Sequence, residues 1–221
     1  MRILIIPDAH LPYVNMDHLK DIYKFNKKYN AHEILSIGDF FDNYSLSTFI
    51  KDPAADSPTE ELEKCYQQVK KIKKWFPKMT FIKGNHEKRL DKRAKDVGIH
   101  QRFIKNLMEV MDAPSSWKTE EEDVIERDDI LYTHGYHCNL RKHLYDFNRS
   151  IVFGHIHKYF GIDYMSRNGR MIYAMCVGTI IDDQAIAFRY GPVKYRTACM
   201  GFGTVTNGVP QLHPLLNVKG M

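Results

Sequence analysis

Two histidines separated by one residue, His155 and His157, follow Gly154 and a short apolar run, Ser150-Ile151-Val152-Phe153. At an extended strand end alternate side chains point the same way. A glycine just past the strand lets the chain bend and turn both imidazoles toward one point. That is a metal-ligand arrangement, although a lone His-x-His is more often ordinary surface or core histidine. Its weight comes from four upstream blocks, each directly after a run that reads as a strand. They are Asp8-Ala9-His10, Gly38-Asp39-Phe40-Phe41-Asp42, Gly84-Asn85-His86-Glu87 and His134-Gly135. Polar groups at strand ends are how sheet proteins set a site on a rigid frame. The donors are carboxylates, imidazoles and one amide, with no thiolate. Such a set suits manganese, iron or zinc with positions left open for water, and not a closed structural zinc.

The elements that must hold these residues are readable at coarse grain. Arg2 to Ile6 is an apolar, β-branched strand ending in Pro7-Asp8. Residues 16 to 29 carry Met16, Leu19, Ile22, Tyr23 and Asn26 at helical spacing, with Asn15 as N-cap. Strands are expected at Glu33 to Ile37 and Met79 to Ile82, each stopped by glycine. Between them lies an active-side loop, residues 43–56, with a short helix from Tyr44 to Ile50. Ser57, Pro58 and Glu60 write a capping box for a helix whose buried stripe is Leu62, Cys65, Tyr66, Val69, Ile72 and Phe76. A charged helix from Glu87 to Lys95 and an apolar-periodic one from Gln101 to Met111 follow. Later come strands at Val124 to Arg127, Ile130 to Thr133 and Ile151 to Phe153, and a helix from Asn139 to Phe147. Strands at Phe160 to Met165 and Met171 to Ala174 are joined by Asn168-Gly169, a hairpin signal. Ala198 to Thr206 is a last strand. Helices alternate with strands first and strands dominate later, as in two packed sheets flanked by helices. The length, 221 residues, fits one domain, 1–221, with residues 176–221 as C-terminal strands and tail.

The five blocks, in this order, resemble the signature of the calcineurin-like metallophosphoesterase family: D-x-H, GDxxD, GNHE, an isolated H and GHxH. The resemblance spans roughly residues 3 to 160. It implies an α/β fold, a four-layered αββα sandwich of two mixed β-sheets flanked by helices. It implies a dinuclear metal centre, manganese first with iron, zinc or nickel as alternatives. Asp8, His10 and His157 would hold one ion, Asn85, His134 and His155 the other, and Asp39 would bridge them. Two such ions lower the pKa of a bridging water, so that hydroxide attacks phosphorus near neutral pH, and they neutralise phosphoryl oxygens. His86 would contact the phosphoryl group and protonate the leaving oxygen. Asp42 either braces His86 or another histidine, or caps its own loop.

The substrate is less legible. Protein Ser/Thr phosphatases of the family resemble GDxVDRG and RGNHE, whereas this chain has Asp42-Asn43-Tyr44 and Lys83-Gly84. The phosphate-clamping arginines of that branch are missing. The compact chain, the basic run Lys83, Lys88, Arg89, Lys92, Arg93, Lys95 and the GHxH ending resemble the family's small phosphodiesterase and nuclease branches, which implies a phosphodiesterase or nuclease acting on nucleic acid or nucleotides. A phosphomonoesterase is the alternative, and a non-catalytic scaffold of the same fold a further one. Lys88, Arg89 and Tyr44 are candidate substrate contacts. The basic run reads equally as a solvated helix face, and Tyr44 and Phe49 read as loop packing more readily than as base-stacking platforms. His18, His32, His100, His137 and His143 read as bland histidines, and Glu87 as a helix start. Arg189, Lys194 and Arg196 around Tyr190-Gly191-Pro192 suggest a surface or substrate-facing hairpin, and Gly178-Thr179 a loop closing near the site.

Net charge is +5, which permits a polyanionic partner without requiring one. Cys65, Cys138, Cys176 and Cys199 show no CxxC spacing. With no apolar run near 20 residues and no secretory signal, a cytoplasmic protein with free thiols and no membrane partner is expected. No oligomeric state is readable.

Overall fold

Strand β1 (Arg2–Ile6) is buried on both faces, and its alternating side chains show how the layers are stacked. Ile3 and Ile5 point into one apolar cluster, Leu4 and Ile6 into another. The computed structural model describes residues 1–182, 184–185 and 198–215. One sheet has the order β11-β10-β1-β2-β3-β4 and the other β5-β6-β7-β9-β8. The first comprises β2 (Glu33–Ser36), β3 (Met79–Phe81) and β4 (Trp117–Thr119), parallel to β1, with β10 (Gly201–Thr206) antiparallel to β1 on the other side and β11 (Val209–Pro214) antiparallel to β10. In the second, β6 (Ile130–Thr133), β7 (Ile151–Phe153) and β9 (Arg170–Cys176) run parallel. β5 (Val124–Arg127) and β8 (Gly161–Arg167) close its edges antiparallel.

Three apolar clusters separate four layers. Leu4, Ile6, Leu19, Ile22, Val69 and Ile72 join the outer face of the first sheet to α1 (Met16–Tyr29) and α2 (Pro58–Trp75). Ile3, Ile5, Leu35, Tyr132, Val152 and Met175 fill the space between the sheets. Leu140, Leu144, Ile151 and Phe153 join the second sheet to α5 (Leu140–Phe147). The result is the α/β four-layered αββα sandwich. Among the described residues, no helix is long and apolar enough to cross a membrane.

Most elements match the sequence reading, and the departures have local causes. Asn15 caps α1 by accepting from the Asp17 and His18 amides, and Ser57 and Glu60 form the capping box of α2. On α2, however, Leu62 is 43% exposed, and Glu61 takes its place in the buried stripe. The Glu61 carboxylate accepts from Tyr44 N at 2.6 Å and Ser45 N at 2.8 Å, so a charge is buried because it ends a loop. The expected helix Tyr44 to Ile50 shrinks to a 3-10 turn, Tyr44–Leu46, because Ser47 is extended. The charged helix is α3 (Lys88–Asp96). The expected helix over 101–111 is instead a 3-10 turn, Gln101–Phe103, and a single turn, α4 (Leu107–Val110), restarted by Asn106 as cap. Strands β4 and β11 were not foreseen. The turn before β11, Asn207-Gly208, is left-handed at both residues, the same device as Asn168-Gly169. Arg189, Tyr190, Gly191, Pro192, Lys194 and Arg196 lie outside the described residues.

Candidate metal centre

The five blocks stand at the C-terminal ends of β1, β2, β3, β6 and β7, the central strands of both sheets. Parallel pairing puts those ends on one edge of the sandwich, so residues far apart in the chain meet there. Loop backbones lace the edge together. His10 N donates to Asp39 O at 2.9 Å, Leu11 N to Phe40 O at 2.8 Å, and Gly154 N to His134 O at 3.0 Å. His10, Asp39 and His155 adopt left-handed φ of 51°, 48° and 67°. For non-glycine residues this costs roughly 1–3 kcal/mol each and persists only where the surroundings enforce it. Close approach explains two glycines. A Cβ at Gly84 would collide with the Asp39 carboxylate, and one at Gly154 with Asp8 Oδ1.

The seven expected donors converge in two groups. In one, His157 Nε2 lies 3.1 Å from both Asp8 Oδ2 and His10 Nε2. In the other, His134 Nε2 lies 3.0 Å from Asn85 Oδ1, 3.1 Å from Asp39 Oδ2 and 3.2 Å from His155 Nδ1. Asp39 Oδ2 stands between the groups, 3.7 Å from His10 Nε2. Ring nitrogens facing each other at 3.1–3.2 Å repel unless a proton or a cation separates them. Asp8 Oδ1 and His134 Nδ1 are buried with no hydrogen-bond partner. Asp8–His10–His157 and Asp39–His134–His155 can each hold a metal ion. His10–Asp39–His86 is a third such triad, so His86 sits closer to the donors than its sequence neighbour's role suggested.

The carboxylates and imidazoles hold each other's charge states. Burial opposes ionisation of Asp39, yet His134 and His86 outweigh it and keep its pKa well below the usual range. Asp42, equally buried, is likewise held low by hydrogen bonds from His10 and His86. Burial disfavours the His134 cation, but Asp39 and Asp8 lift its pKa to about 9. Burial and the neighbouring His86 push His10 down, and burial with His134 pushes His155 down.

Asp42 does reach both imidazoles the sequence offered it. Its carboxylate accepts from His10 Nδ1 at 2.8 Å and lies 3.4 Å from His86 Nδ1, whose proton goes to the Asp42 carbonyl at 2.8 Å. This leaves Nε2 of His10 to face the cluster, the arrangement that fixes a ligating histidine. Arg89 donates to the Asp42 carbonyl at 2.9 Å, to its carboxylate at 3.2 Å and to His86 Nε2 at 3.0 Å. Lys88 pairs with Asp123 at 2.6 Å. Arg93 donates to Leu46 O and Ser47 O. Three cations of the basic run thus pin loops instead of forming a free face. Tyr44 packs edge-on against Tyr13 and accepts from Asp52 N at 3.0 Å.

Glu87 carries more than a helix start. Its carboxylate accepts from Asp39 N at 3.0 Å, Phe41 N at 2.8 Å and Gly84 N at 2.8 Å, joining the second and third blocks. Burial and the Asp39 charge raise its pKa to about 7, against those donors. The fourth letter of the third block was the available signal. Gly178-Thr179 does close against the site: Thr179 Oγ1 donates to Asp8 O at 2.7 Å, and Cys199 N donates to His157 O at 2.7 Å. Cys176 Sγ lies 3.4–3.8 Å from the carbonyls of Gly154, Ile156 and Tyr159, bracing the His155–His157 turn. Nothing in the spacing of Cys176 or Cys199 announced them. His18, His32, His100, His137 and His143 stay outside the cluster: His18 is buried on α1, and His143 stacks on Phe153 at 4.0 Å.

Fold and donor set together define a metallophosphoesterase-type centre. The sequence model of the calcineurin-like phosphoesterases matches residues 1–159, and the chain belongs to that family. Residues beyond 159, Thr179 and Cys199 among them, still buttress the site. Solved structures to which the chain is similar include Yfce, a phosphoesterase from E. coli (14% identity, 95% of this chain and 91% of that one, TM-score 0.41). Others are Vacuolar Protein Sorting 29 from Cryptosporidium parvum (15%, 96% and 94%, 0.43) and the Pseudomonas putida nuclease MPE (12%, 96% and 87%, 0.37). No curated protein sequence matches the chain.

Proposed function

We propose that the protein is a cytoplasmic, metal-dependent phosphodiesterase acting on nucleic acid or nucleotides. Two divalent ions, manganese foremost, would be held by Asp8, His10 and His157 and by Asn85, His134 and His155, with Asp39 shared. The observation that carries this reading is the position of Asp39 Oδ2, 3.1 Å from His134 Nε2 and 3.7 Å from His10 Nε2, between two donor groups drawn from five loops. Such ions supply a deprotonated water near neutral pH and neutralise phosphoryl oxygens. The donors are oxygen and nitrogen alone, which suits manganese. The four cysteines are free thiols, as suits a reducing compartment.

In this reading His86 donates the proton to the leaving oxygen. Its Nδ1 is held by the Asp42 carbonyl, so Nε2 is the working atom, and substrate must draw Arg89 away from it. Burial works against a proton on His86, but the Asp39 charge and the Asp42 hydrogen bond outweigh it and raise the pKa, which favours an acid role. A diester is favoured over a monoester by the state of the cations. Arg89 and Lys88 are already bonded to protein carbonyls and carboxylates, leaving them poorly placed to clamp the second charge of a monoester. A scaffold without catalysis has no need of seven converging donors.

Manganese-dependent turnover of bis(p-nitrophenyl) phosphate, compared with p-nitrophenyl phosphate, tests the reading. Asp39→Asn and His86→Gln should each abolish it while leaving the circular dichroism spectrum intact. Unchanged turnover in either variant removes that residue's role, and preference for the monoester removes the diesterase assignment.

A further inference from the structure

The cleft that opens on His10, His86 and His157 measures about 590 Å³, within the range for small-ligand sites, and Phe49 and Ile50 line the same cleft. Phe49 is 81% exposed and Ile50 98%. Two adjacent large apolar side chains turned to solvent are unfavourable unless something covers them. Looseness of the loop does not account for them. Glu61 holds the amides of Tyr44 and Ser45, and Arg93 holds the carbonyls of Leu46 and Ser47. Phe49 N donates to Ser47 Oγ at 3.2 Å, and Lys51 returns to Ser45 O. The loop is tied down on both sides of the pair, with Tyr44 turned inward and Phe49 outward.

We propose that Phe49 and Ile50 form a subsite for one unpaired nucleobase of the substrate, and that the substrate is single-stranded nucleic acid or a free nucleotide ester. The proposal rests on the phosphodiesterase reading. The occupant must be covalently attached to a phosphoryl group lying at the imidazole cluster, because both line one cleft. It must offer a flat apolar face, because Phe49 and Ile50 offer nothing else. A nucleobase meets both conditions, and a base that stacks on a side chain has left the duplex stack. Stacking of this kind tolerates any base, so sequence preference should be weak.

The test uses the full chain with manganese, single-stranded oligothymidylate, and the same strand annealed to its complement. Phe49→Ala should raise KM for the single strand about 5- to 150-fold, the range for loss of one base stack, with kcat little changed. Phe49→Trp should restore KM, and in the absence of metal its fluorescence should be quenched by oligothymidylate beyond any change in the wild type. An unchanged KM in Phe49→Ala, or a duplex cleaved as well as the single strand, overturns the proposal. If the wild type turns over bis(p-nitrophenyl) phosphate but neither an oligonucleotide nor thymidine 5′-p-nitrophenyl phosphate, the base subsite falls and the diesterase stands. If no diester is hydrolysed, the diesterase reading falls and the subsite with it.

Discussion

Asp42 touches two imidazoles and a guanidinium, and Glu87 touches three backbone amides, yet neither is among the seven donors. Residues of this kind set how well a site is preorganised. Asp42→Ala frees His10 to rotate, and manganese affinity should fall about 10- to 100-fold, as read by calorimetric titration. If affinity is unchanged, Asp42 serves its loop alone. Glu87→Ala leaves three amides without their acceptor. Each buried orphan costs about 1–3 kcal/mol, so urea denaturation should show a loss at least that large, together with weaker metal binding. The donors were legible because each stands in a short block directly after a strand. The sequence offered Asp42 a histidine but not Arg89, since an aspartate's neighbours depend on loops thirty or more residues away.

Elements whose ends are written locally came through from the sequence. Asn15, Ser57 and Asn139 each cap a helix through their own side chain, an interaction spanning only two or three residues. Ser57→Ala should lower stability by about 1 kcal/mol, measurable by chemical denaturation. Glu61→Ala should cost more, because it orphans two half-buried amides and loosens the Phe49 loop as well. Should it cost less than the cap, the loop is held chiefly by Arg93. The segment 101–111 carried apolar residues at helical spacing, but Phe103 is 84% exposed and Asn106 starts a new turn. Periodicity there was real and insufficient: Leu107, Met108, Val110 and Met111 pack on the core while Phe103 faces solvent, so packing supports only the last turn.

For the molecule as a whole, metal and proton should both register in stability. Saturation at about 100 times Kd stabilises by about 2.7 kcal/mol, roughly 5–11 °C in Tm for a chain of this size. EDTA should remove that increment from the wild type, and Asp39→Asn should show much less of it. His143, which is not one of the donors, provides a proton-linked contribution. Burial is the main cause of its lowered pKa, and His137 adds to it against the Asn139 carbonyl. A histidine with a folded pKa below its unfolded value favours the unfolded state as it protonates. Its contribution is therefore full above about 6.5 and declines as pH falls below that value. The Tm difference between wild type and His143→Gln should narrow from pH 7.5 to pH 5, and a constant difference would show that His143 does not titrate on unfolding.

Chain order alone determined the donor types, their attachment to strand ends and the caps that start the helices, because each depends on residues a few positions apart. Only the tertiary structure decided that Glu61 and Glu87 are buried pins, that the basic run binds its own loops, and that Tyr44 turns in while Phe49 turns out. Those outcomes follow from which backbone amides and carbonyls are left without partners once two sheets pack, a condition that exists only in the assembled fold.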